Sequence, residues 1–361
     1  MTKAEHKKYF RLLTEKLHHI VKQPIRLMEV CGTHTMSIGK AGIRKVLPPE
    51  IELISGPGCP VCVTPDIEID AFIRLAQQDV IITTYGDMMR VPGSTGSLSE
   101  LKGQGADIRV VYSALEALQL ARQHKDREVV FLGVGFETTA PATAHALKVA
   151  KQQGLNNFSV FNMHKTVPQV LELLLLDKAT KIDGFILPGH VSIILGEKPY
   201  QFIAEKYGVS GVIVGFEPPE IMSGIVKLVQ QVQAGKPGIT NLHPHVVKPE
   251  GNVAAQQLIA EVFEPTDAQW RGIGQIAGSG LQLRAEYAAF DAEKKFNVER
   301  IPVKLYPGCS CGDVLKGTLK PQGCPLFAKK CTPEKPVGPC MVSSEGTCAA
   351  YYLYEGADGN D

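Results

Sequence analysis

Ile25-Arg-Leu-Met-Glu-Val30 running into Cys31-Gly-Thr-His34-Thr35, and Val129-Val-Phe-Leu-Gly-Val134 running into Gly135-Phe-Glu137-Thr-Thr139, are the stretches that decide the fold. Each is a short apolar run that stops at a small polar turn and hands over to a helical pattern. A continuous apolar run of this length reads as a strand buried on both faces. The pattern recurs. Ile51–Ile54, Val80–Thr84 and Ile108–Tyr112 follow the first run; Phe158–Met163, Gly184–Leu187 and Val212–Val214 follow the second. Helix-like stretches such as Pro65–Gln77 and Ala114–His124 lie between them. Strands alternating with helices imply parallel sheets with covered faces, an α/β fold.

The turns that close the two sets of runs correspond at a nearly constant offset: Cys31 to Phe136 is 105 residues, Cys59 to Lys165 106, Gly86 to Gly189 103 and Ser113 to Phe216 103. This predicts two similar α/β units facing a cleft, over 25–127 and 128–235. A third unit is expected over 236–361, joined by 1–24. Its first part is broken by Pro237, Pro244, Pro249 and Pro265, and beyond Pro302 it is dense in Cys, Gly and Pro. Residues 4–21 read as an amphipathic helix with Phe10, Leu13, Leu17 and Ile20 on one face.

Composition narrows the function. The 361 residues are 44% hydrophobic and 21% charged, which suits a folded chain rather than a disordered one. Lys+Arg is 38 and Asp+Glu 37, so neither nucleic acid nor an anionic membrane surface is the expected partner. No apolar stretch is long enough to span a bilayer, and Met1 to Val21 carries Lys and Glu at helical spacing, unlike a signal peptide. A cytoplasmic location is expected.

The nine cysteines are clustered: Cys31, the pair Cys59 and Cys62, and six from Cys309 to Cys348. In a reducing compartment such clustering points to metal, iron–sulfur or redox chemistry. Cys309, Cys324, Cys331 and Cys348 are separated by 14, 6 and 16 residues. Four thiolates in a loop-rich segment suit a [4Fe–4S] cluster or a structural zinc, and the absence of paired C-x2-C knuckles in this tail favours the cluster. Cys311 and Cys340 are surplus, and Cys311 is an alternative to Cys309. Gly56-Pro-Gly-Cys59-Pro-Val-Cys62-Val-Thr64-Pro65 follows an expected strand, with Thr64 as the N-cap and Pro65 as the first residue of a helix. Two sulfurs near a helix N-terminus suit a reversible disulfide, against half of a metal site or two packed thiols. Cys31 with His34 suits either a nucleophile or a thiolate–imidazole pair for iron, against simple packing. Glu137, His164, Lys165 and His190 end strands and are candidate cleft residues; singly, each also reads as an ordinary cap or loop residue. Gly272-x-Gly274-x-x-Ala277 has the spacing of a dinucleotide fingerprint, but no strand is expected before it.

Taken together, Cys31-Gly-Thr-His-Thr, Gly56-Pro-Gly-Cys-Pro-Val-Cys62, Gly135-Phe-Glu-Thr-Thr139, Asn162-Met-His-Lys165, Pro188-Gly-His-Val-Ser192 and the C-x14-C-x6-C-x16-C tail resemble the HypD family over nearly the whole chain. The resemblance implies a factor that assembles the Fe(CN)2CO unit of [NiFe]-hydrogenase, a redox-active scaffold more than a turnover enzyme. It implies a HypC-type small chaperone and a HypE-type cyanide donor as partners. It also implies iron held at Cys31 with His34, a redox pair at Cys59 and Cys62, and a [4Fe–4S] cluster on Cys309, Cys324, Cys331 and Cys348. The competing reading is a freestanding, cluster-dependent thiol–disulfide reductase.

Overall fold

The computed structural model describes residues 2–177, 179–302 and 308–356, so the ends of the expected third unit and residues 303–307 within it lie outside the described residues. Eleven strands are described: β1 Ile25–Glu29, β2 Ile51–Ser55, β3 Val80–Thr84, β4 Ile108–Val110, β5 Glu128–Gly135, β6 Phe158–His164, β7 Gly184–Leu187, β8 Ser210–Ile213, β9 Ile239–Asn241, β10 Phe263–Trp270 and β11 Gly274–Leu283. They form two fully parallel sheets, ordered β2-β1-β7-β8-β9 and β4-β3-β5-β6, and one antiparallel hairpin, β10-β11. The α/β class with two parallel sheets is as the sequence predicts.

The strands do not divide at residue 127. Each hundred-residue stretch gives one strand pair to each sheet: β1 and β2 join β7 and β8, while β3 and β4 join β5 and β6. The repeat is nevertheless present in the topology. Replacing β1, β2, β7 and β8 by β5, β6, β3 and β4 turns the order β2-β1-β7-β8 into β6-β5-β3-β4, the second sheet read backwards. Hydrophobic runs identify strands but carry no signal for which strand lies alongside, which is why the partition was not legible.

Alternation along each strand builds the layers. Ile25 and Leu27 face an outer core with Leu13, Leu17, Ile186, Val212 and Ile225, whereas Met28 and Val30 face an inner core. In the second sheet Ile81, Phe131 and Phe158 face another outer core, and Ile82, Leu132 and Phe161 face the same inner core. The two sheets thus share one core, with helices over both outer faces. The helix Lys3–Ile20 starts with a capping box, Thr2 with Glu5, and packs on the helix Pro218–Ala234. It belongs with the first sheet and not with the Cys-rich tail, because Leu13 and Leu17 are the residues that its apolar face buries.

Residues 236–302 build onto the two sheets. β9 extends the first sheet, while the helix Val253–Val262 and the hairpin pack over the second. Among the described residues no helix is long and apolar enough to cross a membrane.

Leu17 is fully buried and Leu12 is half exposed on the same helix. Leu17→Ala should destabilise the chain by about 3 kcal/mol, while Leu12→Ala should stay within about 0.5 kcal/mol, read as the shift in denaturant midpoint.

Candidate metal and thiol centre

In both sheets the chain order reverses between two adjacent inner strands, β1 and β7 in one and β3 and β5 in the other. Crevices at the carboxyl ends of such strands are where open parallel sheets bind ligands. Cys31 follows β1, Pro188-Gly-His190 follows β7, Tyr85-Gly-Asp87 follows β3, and Phe136-Glu137 follows β5.

Cys31 is the N-cap of the helix Gly32–Lys40 and is buried. The N–H of Gly32 donates to Gly58 O at 3.1 Å, and a Cβ on Gly58 would fall 2.3 Å from Cys31 N. Glycine at 58 therefore lets the Cys59 loop lie directly on Cys31. On the other side Glu345, from the Cys-rich tail, packs on Gly32 and accepts a hydrogen bond from Thr33 Oγ1 at 2.6 Å. Burial pushes the Cys31 thiol up to about 12; the N–H groups of His34 and Thr33 oppose this, and the Glu345 carboxylate adds to it. The resting group is a neutral thiol, and a bound cation is what would displace its proton.

His34 is fully buried, and burial lowers it to about 4, so its ring is neutral. Nε2 lies 2.9 Å from Gly215 O and Nδ1 has no hydrogen-bond partner. Donation from Nε2 to that carbonyl leaves the Nδ1 lone pair free to bind a metal. His34 and His190 both pack on Phe216, with ring centroids at 4.7 and 4.1 Å. His190 is exposed.

Two residues before Cys31, buried Glu29 accepts from Thr35 Oγ1 at 2.9 Å, from Arg44 at 3.2 Å, and from Ser55. Arg44 in turn pairs with Glu355 and lies 4.6 Å from the Tyr351 ring. This network fastens the helix Thr347–Tyr354, which carries Cys348, to the end of β1.

Cys59 and Cys62 are joined as a disulfide, with Cα atoms 5.2 Å apart. The helix at this point differs from expectation. Pro60 starts a one-turn helix, Pro60–Val63, capped by Cys59, whose sulfur accepts from the Cys62 N–H at 3.2 Å. Thr64 ends this turn, and Pro65 caps the next helix, Asp66–Leu75. Both sulfurs are buried in the inner core.

The six tail cysteines all line one small cavity, together with Val314, Leu326, Phe327, Gly338 and Met341. Cys311 and Cys340 sulfurs are 2.9 Å apart. Both belong to the inner core that contains Cys59 and Cys62, and the turn Pro339–Met341 packs on the helix Pro60–Val63. Cys324 and Cys331 belong to a separate tail core, against which Cys348 packs. A hydrogen bond to Cys311, then burial, raises Cys309; burial raises Cys331. Among the described residues, no three His, Cys, Asp or Glu side chains converge as the ligands of one metal ion. The donor set fits a multi-iron cluster: a loop-rich shell of soft ligands around a common void, with the N–H of Val337 3.3 Å from the Cys331 sulfur.

Of the strand-end residues, Glu137 is on the cleft side. Its Oε1 accepts from Val167 N at 2.9 Å, and Oε2 has no partner. Glu137 follows β5 and Cys31 follows β1, so they extend from the carboxyl ends of the two sheets. His164 does not join them. Strand parity puts Phe161 and Met163 in the inner core, and His164 on the opposite face with Asn162, its Nδ1 partner at 2.6 Å, and Phe263 at 6.0 Å. The next residue, Lys165, bridges instead to buried Glu68 at 3.0 Å. Glu345, Tyr200 and Phe216 were missed at the sequence level; Glu345, lying between Cys340 and Cys348, was the one with a signal.

Burial raises Glu137 from 4.5 to about 7. The protonated form is therefore favoured in the folded chain: the stability this group contributes is full below pH 4.5 and is lost as pH rises to about 7. Glu137→Gln should remove up to about 1.4 kcal/mol per pH unit of slope from that window, measured by urea unfolding against pH.

The family model described as "Hydrogenase formation hypA family", HypD, matches residues 7–355. The chain is 49% identical over 351 residues to a hydrogenase maturation factor HypD of Rhodobacter capsulatus, covering 96% of this chain and 93% of that one. It is 45% identical over 348 residues to HypD of Escherichia coli, with the same coverage, and 46% identical over 341 residues to HypD of Cupriavidus necator, covering 92% of this chain and 90% of that one. With the sequence motifs and the fold in agreement, the chain belongs to the HypD family of hydrogenase maturation factors.

Proposed function

We propose that this chain, with a HypC-type small chaperone and a HypE-type cyanide donor, scaffolds assembly of the Fe(CN)2CO group of [NiFe]-hydrogenase. The observation that carries the reading is the succession of sulfurs: the six-cysteine cavity, the Cys311–Cys340 contact in the inner core, the Cys59–Cys62 disulfide in that same core, and Cys31 under Gly58.

Iron is the cargo. Low-spin iron carrying carbon monoxide and cyanide suits soft thiolate, and Cys31 with the free Nδ1 of His34 offers one thiolate and one imidazole, with further positions open to incoming ligands. Burial keeps both groups uncharged beforehand, so iron binding releases the Cys31 proton. A [4Fe–4S] cluster on Cys309, Cys324, Cys331 and Cys348 would supply single electrons when bound. Cys311 and Cys340 then stand between those thiols and the disulfide. Cys59 and Cys62, on taking up two electrons and two protons, become two thiols beside Cys31. Burial raises Glu137 to about 7, so near neutral pH it can exchange a proton at the cleft wall, while the buried Tyr200 hydroxyl stays protonated. The burial of Cys59 and Cys62 argues against a freestanding reductase, since a protein disulfide has no direct approach to them.

Infrared spectroscopy of the chain purified without oxygen alongside its chaperone tests this. Metal–carbonyl and metal–cyanide bands should be present and should vanish in Cys31→Ala. Bands that persist in Cys31→Ala, or that are absent from a cluster-loaded wild type, overturn it. Cys348→Ala should lose about four irons per chain and the brown colour.

A further inference from the structure

The tip of the β10–β11 hairpin touches both sulfur-bearing segments without contributing a sulfur. It holds the string Gly272-x-Gly274-x-x-Ala277, which does follow a strand but opens an antiparallel one rather than a helix, so it is no dinucleotide site. The hairpin is anchored by the single tryptophan: Trp270 is buried, donates from Nε1 to Ser279 Oγ at 2.9 Å, and stacks on Phe136 at 5.7 Å.

Beyond this anchor, two adjacent residues reach in two directions. The N–H of Arg271 donates to Val63 O at 2.8 Å, its Nε donates to Thr64 O at 3.1 Å, and its guanidinium pairs with Asp66. Gly272, at φ +66°, lies against Gly312; a Cβ on Gly272 would fall 2.2 Å from Gly312 Cα. Val63 directly follows Cys62 and Gly312 directly follows Cys311. The Arg271 side chain is 7% exposed, and its Nε sits on the carbonyl of Thr64, two residues after Cys62. A buried charge acts at greater strength than one in water.

We propose that Arg271 and Gly272 are positioning residues for thiol exchange: they fix the Cys59–Cys62 loop against the six-cysteine cavity, and Arg271 places a buried positive charge beside that loop, which favours the reduced pair by stabilising the thiolate left when one of its two thiols gives its proton to solvent. This rests on reading Cys59 and Cys62 as a redox pair. Asp66 partly offsets the charge, so removing either partner moves the equilibrium in opposite directions.

The test uses the full chain, purified without oxygen and equilibrated with mixtures of reduced and oxidised dithiothreitol. Each disulfide opened takes two electrons and two protons from one dithiothreitol, which closes to its own disulfide. Alkylation and mass spectrometry of the Cys59–Cys62 peptide give the equilibrium constant. Arg271→Met should lower it about tenfold, about 30 mV for a two-electron couple, and Arg271→Lys should restore it to within about threefold of wild type. Asp66→Asn should raise it about threefold, and still reports if Arg271→Met fails to fold. A merely structural contact would lower the melting temperature of both variants without opposite shifts. Constants that are unchanged, or that move the same way in Arg271→Met and Asp66→Asn, overturn the proposal. A wild-type disulfide that never opens in these buffers overturns the redox-pair reading itself.

Discussion

Pairing of β1 with β7 and of β3 with β5 is the constraint on which the rest of the structure depends. Arg26 and Asp183, 157 residues apart, hold the edge of the first junction: the Arg26 N–H donates to Asp183 Oδ2 at 2.7 Å, and the Asp183 N–H donates back to Arg26 O. Each junction brings together strands from different halves of the chain and creates a crevice at their carboxyl ends. Cys31 and His190 lie at one, and Tyr85 and Glu137 at the other. The shared core between the sheets is what places these crevices in one region.

The electrostatic character of this region follows from its burial. Cys31, His34 and Glu137 are ionisable, and burial shifts all three toward their uncharged forms. Charges that must be buried are paired, as Glu68 is with Lys165 and Arg300, or Arg44 with Glu29 and Glu355. Such pairs add little net stability but penalise any arrangement that separates the partners, so they fix geometry more than they strengthen it. The Arg44 pairs do this for the Cys31 turn and the helix bearing Cys348.

The strands and the helix at 3–20 were legible because each carries its own local period. Cysteine clustering, similarly local, marked the three sulfur groups. Sheet membership was not, since β1 and β3 look alike as apolar runs. The hairpin was hidden by Pro265 and by glycines at 272, 274, 278 and 280, which read as breakers in sequence. His164 was misplaced because its strand parity becomes visible only once Phe161 and Met163 are seen to face the inner core. Arg271 gave no signal, as one of its partners is a carbonyl 207 residues away.

The interleaving of the repeats has a consequence for how the chain is made. As the polypeptide leaves the ribosome, β1 and β2 emerge first, yet the central neighbour of β1 arrives only with β7. Until then β1 keeps an unpaired edge, and the second sheet, β3 to β6, completes its own strand set first. Such long-range pairing slows folding and leaves strand edges exposed to aggregation meanwhile. The Cys31 turn therefore gains its crevice late in synthesis, after the strands of the opposing sheet are already available to close over it.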